Sequence, residues 1–341
     1  MNRFAKLVLA SILISILSIV LILIITVDAT TIESIMQVKP EYLLLAALIH
    51  VLSYVIWGLR TKFMCSALDH DINLIKTVEI IASGAFAASF TPSSVGGEPV
   101  RIHLLHKNNI PLGKSTAVVL GERLMDAALI ISAVPFALYV FGDLLSNSRV
   151  DTFLIFAVLF SFSILFLLIY AIWKPWQTRR LLHYIVNRIA RLTGKKADTI
   201  SRVLKRVDSE LDHFHNSIWL FLTDGKIGLF YGVFFTIAYW VFQFSILPLI
   251  LIGLNLNPSV VAAYAAQVLV TIISIASMTP GSSGVVEIGA TPIFALFVSS
   301  SMVGVVVVVW RAITFYMNII IGGFVSIKIL KDTDIINRLL E

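Results

Sequence analysis

Ser89-Phe90-Thr91-Pro92-Ser93-Ser94-Val95-Gly96-Gly97-Glu98 and Ser277-Met278-Thr279-Pro280-Gly281-Ser282-Ser283-Gly284-Val285-Val286-Glu287 are two versions of one motif. Each holds Ser-x-Thr-Pro, a helix-breaking Ser/Gly stretch and a single glutamate. Each is followed by an arginine inside a long apolar run. Pro92 to Arg123 is 31 positions, and Pro280 to Arg311 is also 31. Paired broken segments at corresponding positions of two halves point to a binding site in transporter-like membrane folds.

The flanking sequence sets the class. Hydrophobic residues make up 58% of the chain and charged ones 13%, against roughly 25% charged in a soluble domain. Runs of about 20 apolar residues span a bilayer, and such runs cover 7–27, 42–59, 117–141, 152–173, 227–252 and 302–327. Two more, 77–90 and 260–279, lead straight into the Thr-Pro motifs. The expectation is an all-α polytopic membrane protein forming a single integral membrane domain over 1–341. Its repeats cover about 72–141 and 260–329, and a basic cytoplasmic loop covers 174–226. The one cysteine, Cys65, excludes an intramolecular disulfide and any CxxC motif. Arg3 and Lys6 before an apolar run resemble a secretory signal. At 21 residues, however, that run is longer than a signal core of about 7–15, so it is expected to remain as the first membrane helix.

Basic residues orient the chain, since they accumulate on the cytoplasmic side. Placing 174–226 inside puts 21 of the 26 Lys and Arg inside and two, Lys39 and Arg149, outside; Arg60 and Lys62 count among the inner ones. Arg101, Arg123 and Arg311 remain at membrane depth. Both termini are then cytoplasmic, in the cell membrane. The net charge of +6 is thus a matter of topology and of anionic headgroups, and no nucleic-acid partner is implied. Parity requires 77–110 to enter and leave on the cytoplasmic side and 260–300 to enter and leave on the outer side. Six full spans plus two re-entrant helical hairpins satisfy this; eight spans, with each hairpin made of two short crossings, satisfy it equally. In both cases the repeats have inverted topology.

Non-helical backbone at membrane depth must find polar partners or a wet cavity. Thr91, Pro92, Gly96 and Gly97, and their counterparts Thr279, Pro280, Gly281 and Gly284, suit such a break. Helices restarting after it would aim their N-terminal ends at an anion. Intramembrane charges are costly and pair or face a cavity, which makes Glu98, Arg101, Glu122, Arg123, Asp126, Glu287 and Arg311 the candidate binding residues. Arg123 shares a helix face with Asp126, and Glu122 lies four residues before Asp126. In the second repeat Trp310 and Thr314 replace these carboxylates, so Arg311 either pairs with Glu287 or holds the ligand. Glu98 and Glu287 are expected to approach one another where the breaks meet.

Together, "GGEPVR", "TPGSSGVVE", "ERLMD" and "WRAITF" resemble the membrane region of lysylphosphatidylglycerol synthases and of free-standing flippase-like members of that family. The resemblance covers roughly 5–330. It implies the translocating half of those proteins, without the aminoacyltransferase domain or the glycosyltransferase domain fused to some relatives. Three functions are compatible with the sequence. They are a translocator of a lipid or lipid-linked anionic intermediate, an intramembrane enzyme acting on a lipid phosphate, and a small-anion or solute transporter. No catalytic motif is found, and no cofactor or metal is expected. The expected partners are a membrane lipid as substrate and a lipid-modifying or glycosyl-transferring enzyme that supplies it, and a homo-oligomer is compatible. His50 is expected to be packed and hydrogen-bonded, and Gly58, Gly121, Gly304, Gly322 and Gly323 to permit close helix packing.

Overall fold

A computed structural model describes residues 3–26, 31, 37–91, 96–142, 226–257 and 259–340, with isolated positions between 163 and 223. The described chain is helical and contains no strand. Its elements are α1 (Arg3–Thr26), α2 (Pro40–Ser66), α3 (Leu74–Ala88), α4 (Gly97–Lys107), α5 (Leu112–Gly142), α6 (Lys226–Gly253), α7 (Val260–Ala276), α8 (Val285–Phe294), α9 (Ser300–Arg311) and α10 (Met317–Leu340). A π-helical turn, Ala312–Tyr316, joins α9 to α10. Among the described residues four helices are long and apolar enough to cross a bilayer: Pro40–Ser66, Leu112–Gly142, Lys226–Gly253 and Ser300–Lys331. This is a polytopic membrane protein. The expected span 152–173 and most of the basic loop lie outside the described residues. At the edges of that loop Arg179 pairs with Asp208 at 3.2 Å and with Asp212, while His183 meets Asp208 at 2.8 Å.

Local sequence explains the boundaries. Pro40 opens α2 at a position whose N–H would have no helical partner. Asn73 caps α3 by accepting from the Ile75 N–H at 2.9 Å, and Ser259 caps α7 from Ala262 at 3.3 Å. The order helix, break, short helix, long helix then occurs twice, as α3–α4–α5 and as α7–α8–α9/α10. With 11 and 10 residues, α4 and α8 are only about 15–16 Å long, half of a ~30 Å hydrocarbon core.

Each short helix lies against the one before it, and the two crossings reverse the roles of large and small side chains. In the first, a Cβ on Gly84 would lie 2.6 Å from Cγ of Arg101, so the missing side chain makes room for the arginine stem. In the second, Gly289, at the position matching Arg101, faces Ile273 at 3.1 Å. Glycine also permits close approaches between helices. A Cβ on Gly322 would sit 2.4 Å from the Ala82 carbonyl, which seats α10 on α3. One on Gly304 would sit 2.1 Å from Oγ1 of Thr26, which seats α9 on α1. α2 and α6 form a further pair, with Phe63 stacked between Tyr231 and Phe235 at ring distances of 4.6 and 5.4 Å.

One placement differs from the sequence reading. The 42–59 run does not end before Arg60, because α2 continues to Ser66 and carries Arg60 into the bundle with no exposure. A basic residue closing an apolar run looks like an interfacial charge. Here helical phase turns it inward, towards carboxylates that only the fold supplies.

Candidate functional site

The two breaks touch. The Gly281 N–H donates to the Thr91 carbonyl at 3.1 Å, so backbone from one motif satisfies backbone from the other. Gly281 has φ of +59°, and a Cβ there would fall 2.2 Å from the Ser89 carbonyl oxygen; only glycine fits. Several further polar groups of the breaks, among the described residues, are met locally, as suits backbone at membrane depth. Thr91 Oγ1 accepts from the Gly96 N–H at 2.8 Å, Ser282 Oγ donates to the Ser274 carbonyl at 2.9 Å, and the Ser277 and Thr279 hydroxyls share a 2.9 Å hydrogen bond. Pro92, with Ser93, Ser94 and Val95, lies outside the described residues.

Around the first break stands a charge network built on Glu122, which has no exposed surface. Its carboxylate accepts from Thr61 Oγ1 at 2.6 Å, from Trp57 Nε1 at 2.9 Å and from Arg101 Nη2. Arg60 approaches it at 3.5 Å but belongs mainly to Asp126, which it holds through both guanidinium nitrogens at 2.7 and 3.3 Å. Asp126 also accepts from Trp240 Nε1 at 3.0 Å, and Arg60 donates to Thr236 at 2.9 Å. The Trp57 ring is the common surface for three guanidinium groups: Arg101 at 4.8 Å, Arg60 at 5.5 Å and Arg123 at 5.6 Å. Removing one partner from a buried pair of this kind costs about 3–5 kcal/mol.

Arg123 differs from its neighbours. Its Nε lies 2.5 Å from Oε1 of Glu98, and its Nη1 only 3.9 Å from Asp126, which Arg60 already holds. The Arg123 side chain is 37% exposed, whereas Arg60 and Arg101 are at 0% and 1%. Eleven residues into α5, it sits about 16 Å along that helix. Of the three arginines in this cluster it is the one whose side chain is open.

The second half holds one closed pair. Arg311 Nε donates to Glu287 at 2.9 Å, its Nη2 reaches Ser283 at 3.5 Å, and its guanidinium lies 3.9 Å over the Phe315 ring. Glu287 has no exposed surface. It also accepts from Ser15 Oγ at 2.6 Å and from the Gly284 N–H at 2.8 Å. The last contact caps α8 with its own third residue. Of the two fates open to Arg311, the structure gives it Glu287.

All seven candidate residues therefore fall into two clusters on either side of the touching breaks. Within each half, the glutamate after the break reaches the arginine of its own repeat: Glu98 to Arg123, and Glu287 to Arg311. The hydrogen bond that joins the two motifs is made by backbone, from the Gly281 N–H to the Thr91 carbonyl. Glu122, which spacing sets four residues from Asp126 on one helix, turns to Arg101 and α2. Sequence reading missed Trp57, Arg60, Thr61, Thr236 and Trp240. The available signal was that Trp57, Arg60 and Thr61 share one helical face of α2. His50 is packed as expected, with Nε2 2.9 Å from Asn318 Oδ1.

The family model for the lysylphosphatidylglycerol synthase TM region matches residues 8–322. A UPF0104 membrane protein of Archaeoglobus fulgidus is 30% identical over 300 residues, covering 87% of this chain and 89% of that protein. Others from Methanocaldococcus jannaschii and Pyrococcus horikoshii are 25% and 24% identical. They cover 89% and 87% of this chain and 89% and 90% of their own lengths.

Proposed function

The chain belongs to the lysylphosphatidylglycerol synthase transmembrane-region family, and from that premise we propose that it moves a lipid, or a lipid-linked anionic intermediate, between membrane leaflets. Arg123 carries the reading. It is the intramembrane arginine with an open side chain, and it stands beside a break whose counterpart touches it from the other half. A guanidinium binds phosphate oxygens in pairs, so it suits a headgroup while the acyl or isoprenoid tails stay in the bilayer. The other carboxylates of the first cluster are committed: Glu122 to Arg101, Trp57 and Thr61, and Asp126 to Arg60 and Trp240. This argues for a binding frame rather than an acid–base pair free to catalyse.

In this account the repeats over about 72–141 and 260–329 are inverted copies, α3–α4 and α7–α8 are re-entrant hairpins, and both termini face the cytoplasm. The short lengths of α4 and α8 support the hairpins. Lipid that remains with the purified protein tests the cargo class. Native mass spectrometry of the wild type is expected to show a retained anionic lipid that is lost from Arg123→Ala. Wild-type protein without lipid, or equal retention by the variant, contradicts the proposal. A chemically altered lipid released after incubation would point to an enzyme instead.

A further inference from the structure

The glutamates that follow the two breaks are held in opposite ways. Glu287 has a partner on every side: the Gly284 N–H, Ser15 and Arg311. Glu98 has the Arg123 contact through Oε1, while its Oε2 is buried with no hydrogen-bond partner among the described residues. The N-cap of α4 is Gly96, and no capping box like that between Gly284 and Glu287 is formed there among the described residues. Among the described residues, Glu98 thus holds the open arginine and accepts from no backbone N–H.

Charge balance gives that arrangement a consequence. The surroundings of Glu98 are Arg101 on α4 itself; Glu122, Arg123 and Asp126 from α5; and Arg60 from α2. α3 brings Gly84 and Ala88 to this face. With Glu98 ionised there are three arginines and three carboxylates, and the cluster is neutral. An anionic headgroup arriving at Arg123 would add an uncompensated charge in a place where such a charge is expensive. Neutrality returns if one carboxylate takes up a proton. Glu122 and Asp126 are each locked by arginine and tryptophan donors, so Glu98 is the group able to leave.

We propose that Glu98 is a resident anion that yields Arg123 to the cargo by taking up one proton, so that cargo binding and protonation are linked. This rests on the reading of Arg123 as the headgroup cation. On binding, a proton from water goes to the Glu98 carboxylate, the Glu98–Arg123 ion pair opens, and Arg123 pairs with the cargo anion. On release the proton returns to water and Glu98 closes on Arg123 again. A second anion beside a carboxylate favours its protonated form, which supplies the linkage.

The test is titration of the full chain, in phosphatidylcholine nanodiscs, with dihexanoyl phosphatidylglycerol. Calorimetry in two buffers of different ionisation enthalpy counts the protons taken up. The wild type is expected to absorb close to one proton per lipid bound over part of the pH range, with Kd falling up to tenfold per pH unit lowered, the limit for one linked proton. Glu98→Gln, with Arg123 released, is expected to bind at least as tightly as the wild type does at its lowest pH, with no proton uptake and a flat pH profile. Thermal melting confirms that the variant is folded. Binding without proton uptake in the wild type, or unchanged uptake in Glu98→Gln, overturns the exchange while leaving the headgroup site standing. No binding to the wild type at any pH overturns both.

Discussion

Replacing Glu122 with alanine separates a structural charge network from a functional one. The substitution removes the acceptor for Trp57, Thr61 and Arg101 in one step. Arg60 keeps its two-nitrogen grip on Asp126, so it loses little. Arg101, 1% exposed, keeps only a 3.4 Å contact with Thr61 Oγ1 and the Trp57 ring face. An unpaired buried charge of this kind costs about 3–5 kcal/mol, a large share of a total stability of roughly 5–15 kcal/mol. At about 2 °C per kcal/mol for a chain of this size, the melting temperature is expected to fall by roughly 6–10 °C. Thermal unfolding in detergent, followed by the monodisperse peak remaining after heating, measures this. The double variant Glu122→Leu/Arg101→Leu removes both charges and is expected to recover most of the loss, since the two sites are coupled. A single variant that melts within 1 °C of the wild type, or a double variant less stable than either single one, refutes the network's role.

Three further outcomes follow from the geometry. Arg311→Ala leaves Glu287 buried without its cation and is expected to cost about 3–5 kcal/mol in thermal unfolding, whereas Arg123→Ala, already 37% exposed, should melt within about 1 °C of the wild type; equal losses in the two would remove the distinction drawn between the arginines. Gly281→Ala pushes a Cβ against the Ser89 carbonyl from a left-handed backbone position, so folded yield should collapse, and normal yield with normal melting would show that the breaks do not meet this closely. A reporter placed after Glu341 or near Lys195 should read the cytoplasm, and an outer signal at either position contradicts the orientation and the inverted repeats.

The breaks were legible because Thr-Pro, Gly and Ser leave a local signature, and their equal spacing to Arg123 and Arg311 needs only counting. Helix extents followed from apolar runs, except where polar residues prolong a helix, as Arg60 and Thr61 do in α2. Which carboxylate meets which arginine was not legible. Glu122 has Arg123 as its sequence neighbour, yet it points to Arg101 and Trp57 because the α2–α5 packing, rather than the helix face alone, decides its partners. Arg311 had two fates in the sequence, although the three-residue step from Gly284 to Glu287 is the register of a helix cap and ties Glu287 in place. The reversed crossing, Gly84 against Arg101 but Ile273 against Gly289, likewise needs the pairing of helices before it has meaning. The π turn after Arg311 left no composition signal in Ala312–Tyr316.

The proposal that this family member carries an anionic lipid past Arg123 is tested most directly by translocation itself. Sealed liposomes bearing a headgroup-labelled fluorescent anionic lipid are reconstituted with the wild type or with Arg123→Ala and then exposed to a membrane-impermeant quencher. In protein-free liposomes the quencher reaches about half of the label, the share held by the outer leaflet. With the wild type the quenched fraction is expected to rise well beyond that level as inner-leaflet lipid is brought outward. With folded Arg123→Ala it is expected to remain at the protein-free level. Wild-type liposomes that stay at half, or a variant that matches the wild type, contradict the account.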